Sequence, residues 1–200
     1  MRQDLKKEAL EQIEKDIKIG FETEDELLES ISEMFYNHDD FDEKWLKEII
    51  ADKYAEHKIE SLSWSMPGDF QRLTDSFDEL IKQKIVCIHN AGFTLQDGMD
   101  SCKYTIETLS KSGIKTVGYC FYHSQDIESA IDSNSRTLFL GFGSTSHNDA
   151  EAIKVANKII ATLIENSFEI NWNGMVNQRI EIKNINWQKF LMMMIGARRE

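Results

Sequence analysis

Proline is almost missing from this chain, one residue in 200, and there are only ten glycines. Long disordered or low-complexity tracts are therefore not expected. Cysteine is scarce too. Cys87, Cys102 and Cys120 are odd in number and show no CxxC spacing, so a disulfide framework or a zinc ribbon has no support. They read as buried thiols in a reducing compartment. No apolar run approaches the roughly 20 residues that span a bilayer. The opening MRQDLKKEALEQIEKD is charged and amphipathic without an apolar h-region, so no secretory signal is expected. A soluble, cytoplasmic protein follows as the expectation.

Recognised catalytic patterns are also wanting. There is no GxSxG elbow, and LGFGSTSHND at Leu140 to Asp149 lacks both the third glycine of GxGxxG and the GK[ST] of a P-loop. No cofactor is implied. Phe121, Tyr122, Phe139 and Phe142 have no accompanying basic patch and read as core rather than as a base-stacking platform.

What the chain does have is acid, unevenly placed. Residues 1–60 carry 19 acidic and 9 basic side chains, and the remaining 140 carry 16 and 14. Such a field repels nucleic acid and attracts a basic protein partner to the N-terminal part. The apolar fraction of 41% suffices for a core. Oligomeric state is not readable.

Periodicity makes the first 84 residues helical. Leu5, Ala9, Ile13 and Ile17 share one face. Thr23 with Glu26 forms a capping box ahead of Leu27, Leu28, Ile31, Met34 and Phe35. Asp40 with Glu43 is expected to cap a third helix bearing Trp45, Leu46, Ile49, Ile50 and Tyr54. Met66-Pro67-Gly68 breaks the pattern, and Asp69 is expected to cap a fourth helix with Phe70, Leu73, Phe77, Leu80 and Ile81.

From Ile85 the period changes. The segments read in turn as the strand IVCIH, a helix carrying Met99, Cys102, Ile106 and Leu109 that ends at Gly113, and the strand TVGYCFYH. A short helix over 125–131, the strand TLFLGFG, and a helix opened by Asn148 and carrying Ile153, Ala156, Ile160, Leu163 and Ile164 come next. FEINW and RIEI then form a hairpin, with Asn173-Gly174 as a type I′ turn. The expected fold class is α+β: a helical N-terminal region (1–68), a mixed sheet with helices packed on it (69–190), and a tail (191–200) with a methionine run and Arg198-Arg199.

Ligands gather beyond the carboxyl ends of strands in such sheets. If the strands before His89–Gly98 and His123–Asp126 are parallel neighbours, His89, Asp97, His123, Gln125 and Asp126 converge, with Thr94 and Gly98 at the cleft. Imidazole with carboxylate supplies either acid–base groups, for which His123, Asp126 and Asp97 are the candidates, or metal ligands, for which His89, His123 and Asp126 are. Plainer roles compete: Thr94 and Asp97 fit a capping box, Asp126 suits the first turn of a helix, and His123 suits hydrogen-bonded support. His38, His57 and His147 carry no pattern.

The blocks NAGFTLQDG at Asn90 to Gly98, GYCFYHSQDIESAI at Gly118 to Ile131, TLFLGFG at Thr137 to Gly143, and INWNG with RIEI at Ile170 to Ile182 resemble, in this order, an uncharacterised bacterial family catalogued only as a domain of unknown function. The resemblance covers roughly Phe70 to Trp187 and implies a shared fold and cleft, with no activity attached. Three functional readings follow: an acidic binding protein of the inhibitor or immunity type facing a basic partner, a hydrolase with or without a metal, and a small-molecule sensor.

Overall fold

The structure, a computed structural model, describes residues 1–191. The methionine run and Arg198-Arg199 lie outside the described residues. The fold is α+β, with helices first and a five-stranded mixed sheet after them. The chain divides into two compact units, Met1–Met66 with the segment from Gln188, and Pro67–Trp187.

The first unit is built from α1 (Gln3–Ile19), α2 (Glu24–Phe35) and α3 (Glu43–Ser61). Four-residue spacing places Leu5, Ala9, Ile13 and Ile17 on one buried stripe of α1. Gly20 then adopts the left-handed conformation at φ 77° and returns its N–H to Asp16. Thr23 and Glu26 form the expected reciprocal capping box. Leu27, Ile31 and Phe35 are buried, whereas Met34, at the margin of the stripe, is 57% exposed. Leu46, Ile50 and Tyr54 of α3 complete this core, together with Leu191 from the returning segment. Beside Leu191, Lys189 Nζ donates to the Gly20 carbonyl at 2.6 Å, a cation closing the negative end of α1.

The cap of α3 differs from expectation. Asp42, not Asp40, accepts from Trp45 N at 3.0 Å, while Asp40 accepts from Arg2 N at the start of α1. Two aspartates two residues apart can both cap, and the distant donor decides between them. Asp42→Ala should therefore lower stability by about 1 kcal/mol, the usual cost of an N-cap, in urea denaturation. If the variant matches the parent protein, the cap assignment is wrong.

The second unit begins with α4 (Asp69–Lys82). Gly68 is the N-cap here rather than Asp69, because the Asp69 carboxylate is drawn away to Asn186 N (2.7 Å) and to Arg72. Leu73, Phe77 and Leu80 face inward, and Ile81 is half exposed. After it come β1 (Ile85–Ile88), α5 (Leu95–Lys111), β2 (Gly118–Phe121), α6 (Ser124–Ile131), β3 (Leu138–Ser144), α7 (Asp149–Glu165), β4 (Glu169–Asn171) and β5 (Ile180–Lys183). The sheet order is β1-β2-β3-β5-β4, with β1 and β2 parallel and every other pair antiparallel.

Two expectations are corrected in this unit. On α7 the buried side chains are Ala152, Val155, Ala156, Ile159, Thr162 and Leu163, a face turned by about one residue from the expected one, and Ile164 is 57% exposed. Gly118 explains the rotation: the bare strand at that point receives Val155, whose methyls would lie 2.6 and 2.8 Å from any Cβ there. The β4–β5 connection is also wider than a type I′ turn. Gly174 alone has positive φ, Asn173 Oδ1 accepts from Met175 N, and Trp172 Nε1 donates to Met175 O and Gln178 O, so the indole braces a broad loop.

Candidate functional site

The two candidate loops follow parallel neighbouring strands, and they meet. Ala91 N donates to Tyr122 O at 2.8 Å and Ser124 N to Gly92 O at 3.0 Å. The Ser124 hydroxyl lies 2.8 Å from Asn90 Oδ1 and 3.0 Å from Gly92 O. Backbone bonds thus close the loops onto each other.

Not every candidate joins that junction. His89 pairs with the Tyr122 hydroxyl at 2.7 Å and packs against Phe70 and Phe77 of α4. Successive side chains leave a strand on opposite faces, so the Tyr122 side that holds His89 is not the side taken by His123. The two histidines are therefore not brought together. Asp97 is a cap: its Oδ2 receives Phe93 N, Thr94 N and Thr94 Oγ1 at 2.8–3.1 Å, and Thr94 Oγ1 accepts from Asp97 N. Those donors hold its carboxyl below the ordinary carboxylate value. Gln125 is exposed on α6, and Gly98 is buried against the Phe121 ring.

His123 and Asp126 do form a pair. Both are almost fully buried, at 4% and 2% exposure. Asp126 Oδ2 accepts from His123 N at 3.1 Å and lies 3.2 Å from His123 Nε2. Its other oxygen, Oδ1, receives Arg179 Nη1 at 2.7 Å, and the same nitrogen approaches His123 Nε2 at 3.3 Å. Among the described residues, His123 Nδ1 is buried without a partner. Nε2 thus faces both an acceptor, Asp126, and an obligate donor, Arg179. Burial first, and the Arg179 charge as well, push the His123 pKa below 6.5, against the pull of Asp126 and Asp97.

This shift has a measurable consequence. The unfolded chain takes up a proton at His123 near pH 6.5, whereas the folded chain resists it, so the stability is complete above 6.5 and drains away as pH falls toward the lowered folded value. The melting temperature should hold level above neutrality and decline below pH 6.5, and His123→Gln should flatten the decline. Equal slopes for the two proteins would remove this account.

Arg179 was not foreseen as a site residue. It stands fifty-three positions from Asp126, at the end of the Trp172-braced loop, with its guanidinium over the Phe139 ring at 5.0 Å. No spacing rule links groups so far apart. Its only sequence signal was a basic residue opening the last strand.

Arg179 also lines a pocket of about 290 Å³, with Leu95 and Met99 of α5, Tyr119 and Phe121 of β2, Gly141 and Phe142 of β3, and Val176, Asn177 and Gln178 of the loop. The register explains its shape: Tyr119 faces Gly143 and Phe121 faces Gly141 across the antiparallel pair, so each ring leans over a bare strand. All four sequence blocks quoted above contribute to the pocket or to the network behind it.

The chain belongs to the family described as Domain of unknown function (DUF6891), which matches residues 2–191. The family thus takes in the N-terminal helices and not only the stretch from Phe70 to Trp187. No curated protein and no solved structure matches the chain.

Among the described residues, no group of three or more His, Cys, Asp or Glu side chains is placed to hold a metal ion, and no helix is long and apolar enough to cross a membrane. The three cysteines are free, with Cys102 and Cys120 buried and Cys87 partly so. Burial raises all three thiols, Cys102 to about 12.

Proposed function

We propose that this protein is a binding protein rather than a catalyst, and that the Pro67–Trp187 unit takes a small neutral molecule in the pocket beside Arg179. The observation that carries this reading is Arg179 itself, fixed by buried Asp126 while lining a pocket that joins apolar and aromatic side chains to the amides Asn177 and Gln178. A guanidinium has five donors, and only Nη1 is engaged by Asp126. The rest suit a carbonyl or amide oxygen, and Tyr119 with the half-exposed Leu95 and Met99 suits a flat apolar body.

Charge decides between neutral and anionic ligands. Arg179 is balanced by Asp126, His123 is neutral, and Asp97 adds a further negative charge nearby. An anion therefore meets no net attraction. Against hydrolysis stands the engagement of every candidate acid or base: His123 Nε2 sits between Asp126 and Arg179, and Asp97 Oδ2 holds three cap donors.

A thermal-shift series on the full chain tests this. Small aromatic amides and lactams should raise the melting temperature more than carboxylates of the same skeleton, and Arg179→Lys should weaken the effect about tenfold, because lysine cannot reproduce the planar fork. A larger response to the carboxylates, or an equal response from the lysine variant, sinks the reading.

A second reading, binding of a basic protein by the N-terminal helices, is favoured by the run Ile19 to Glu43. It contains ten acidic residues and no lysine or arginine. Cytoplasmic residence belongs to the same proposal, supported by three unpaired cysteines.

A further inference from the structure

We infer that a groove along α2 is the docking site for a basic protein segment carrying a large apolar anchor. The inference rests on the second reading above and adds the place and the chemistry of contact.

Asp25, Leu28, Glu29, Ser32, Glu33 and Tyr36 recur at three- and four-residue steps, so they share one side of α2. With Glu43, the first residue of α3, they enclose an open groove of about 430 Å³. It runs about three helical turns, some 16 Å at 1.5 Å per residue. Leu28 and Tyr36 supply apolar surface, and Tyr36 is 63% exposed. Four carboxylates and the Ser32 hydroxyl form the rest of the wall.

Among the described residues, none of those carboxylates forms an ion pair. The ion pairs of this unit, such as Lys7–Glu11, Lys44–Glu48 and Lys53 with Glu14 and Glu56, use other acids. Along α2, Asp25, Glu29 and Glu33 instead follow one another at four-residue intervals, where like charges oppose helix formation. Cations laid against this side would relieve that repulsion, and a leucine-sized or aromatic side chain would fill the groove between them. A second copy of the chain would bring acid against acid. Charge complementarity therefore selects a basic segment, and the apolar floor selects one with an anchor.

The test uses the full chain and a fluorescent, short amphipathic lysine/leucine peptide. Two controls accompany it, the same peptide with its leucines replaced by serine and the same peptide with its lysines replaced by glutamate. The lysine/leucine peptide should bind best, and high salt should weaken it about tenfold. The exposed double change Glu29→Lys with Glu33→Lys should also cost about tenfold with the melting temperature retained, whereas Glu107→Lys on α5 should change little. If Glu29→Lys with Glu33→Lys still binds in a salt-sensitive manner, or if the serine peptide binds as well as the leucine one, the groove is the wrong place although the acidic face binds cations. If no lysine peptide binds at either salt, the broader reading falls along with it.

Discussion

Arg179→Met is expected to destabilise the protein by about 3–5 kcal/mol, the scale reached when one member of a buried ion pair is removed. The asymmetry of burial sets the size. The Asp126 side chain is 3% exposed, so without Arg179 a carboxylate remains in a buried site beside His123 N and Nε2. The Arg179 side chain is 34% exposed and can turn to water, so Asp126→Asn should cost less, about 2 kcal/mol. Combining Arg179→Met with Asp126→Asn removes both charges, and the double variant should be more stable than additivity predicts by about 2 kcal/mol. Urea denaturation of the parent and three variants closes this cycle. Strict additivity would mean that Arg179 and Asp126 do not act as a pair, and the anchoring on which the pocket depends would go with it.

The cycle concerns a part of the site that the sequence concealed. Thr94 with Asp97 was legible because three-residue spacing at a helix start is a local rule, and Asp126 was legible as an acid in the first turn of a helix. Arg179 reaches the same carboxylate only through the β3–β5 pairing and the loop braced by Trp172. The capping errors have a similar origin. Asp40 and Asp69 fit the local rule as well as Asp42 and Gly68 do, and what redirects them is a donor far along the chain, Arg2 N in one case and Asn186 N in the other. Helices and strands were readable because hydrophobic periodicity belongs to each segment by itself. The pocket was not readable in this way. TVGYCFYH announces a strand, yet only the antiparallel register with β3 sets Phe121 against Gly141 and Tyr119 against Gly143. Alternation also separates His89 from His123, because the former shares a side with Tyr122.

Gly98→Ala should cost about 3 kcal/mol, although helix propensity alone predicts a gain of about 1 kcal/mol at a position inside α5. A Cβ at Gly98 would lie 2.0 Å from Phe121 Cε2 and 2.3 Å from Cδ2, far inside van der Waals contact. The ring has no easy retreat. It is 1% exposed, and on the β3 side a Cβ at Gly141 would already meet its Cζ at 2.7 Å, so the ring is held between two glycines on different elements. Gly98→Ala therefore has to move α5 away from the sheet or force Phe121 off its rotamer, and Phe121 and Met99 both line the pocket. Loss of amide binding should accompany the loss of stability. A suppressor separates this wedge from a general weakness of the helix: Phe121→Leu, mildly destabilising by itself, should recover part of the deficit in the Gly98→Ala background, because the shorter side chain vacates the space that the new methyl needs. A Gly98→Ala protein more stable than its parent would show that α5 lies farther from β2 than this packing requires. The pocket walls would then not be fixed by the two glycines, and the selection of a flat ligand would lose its structural basis.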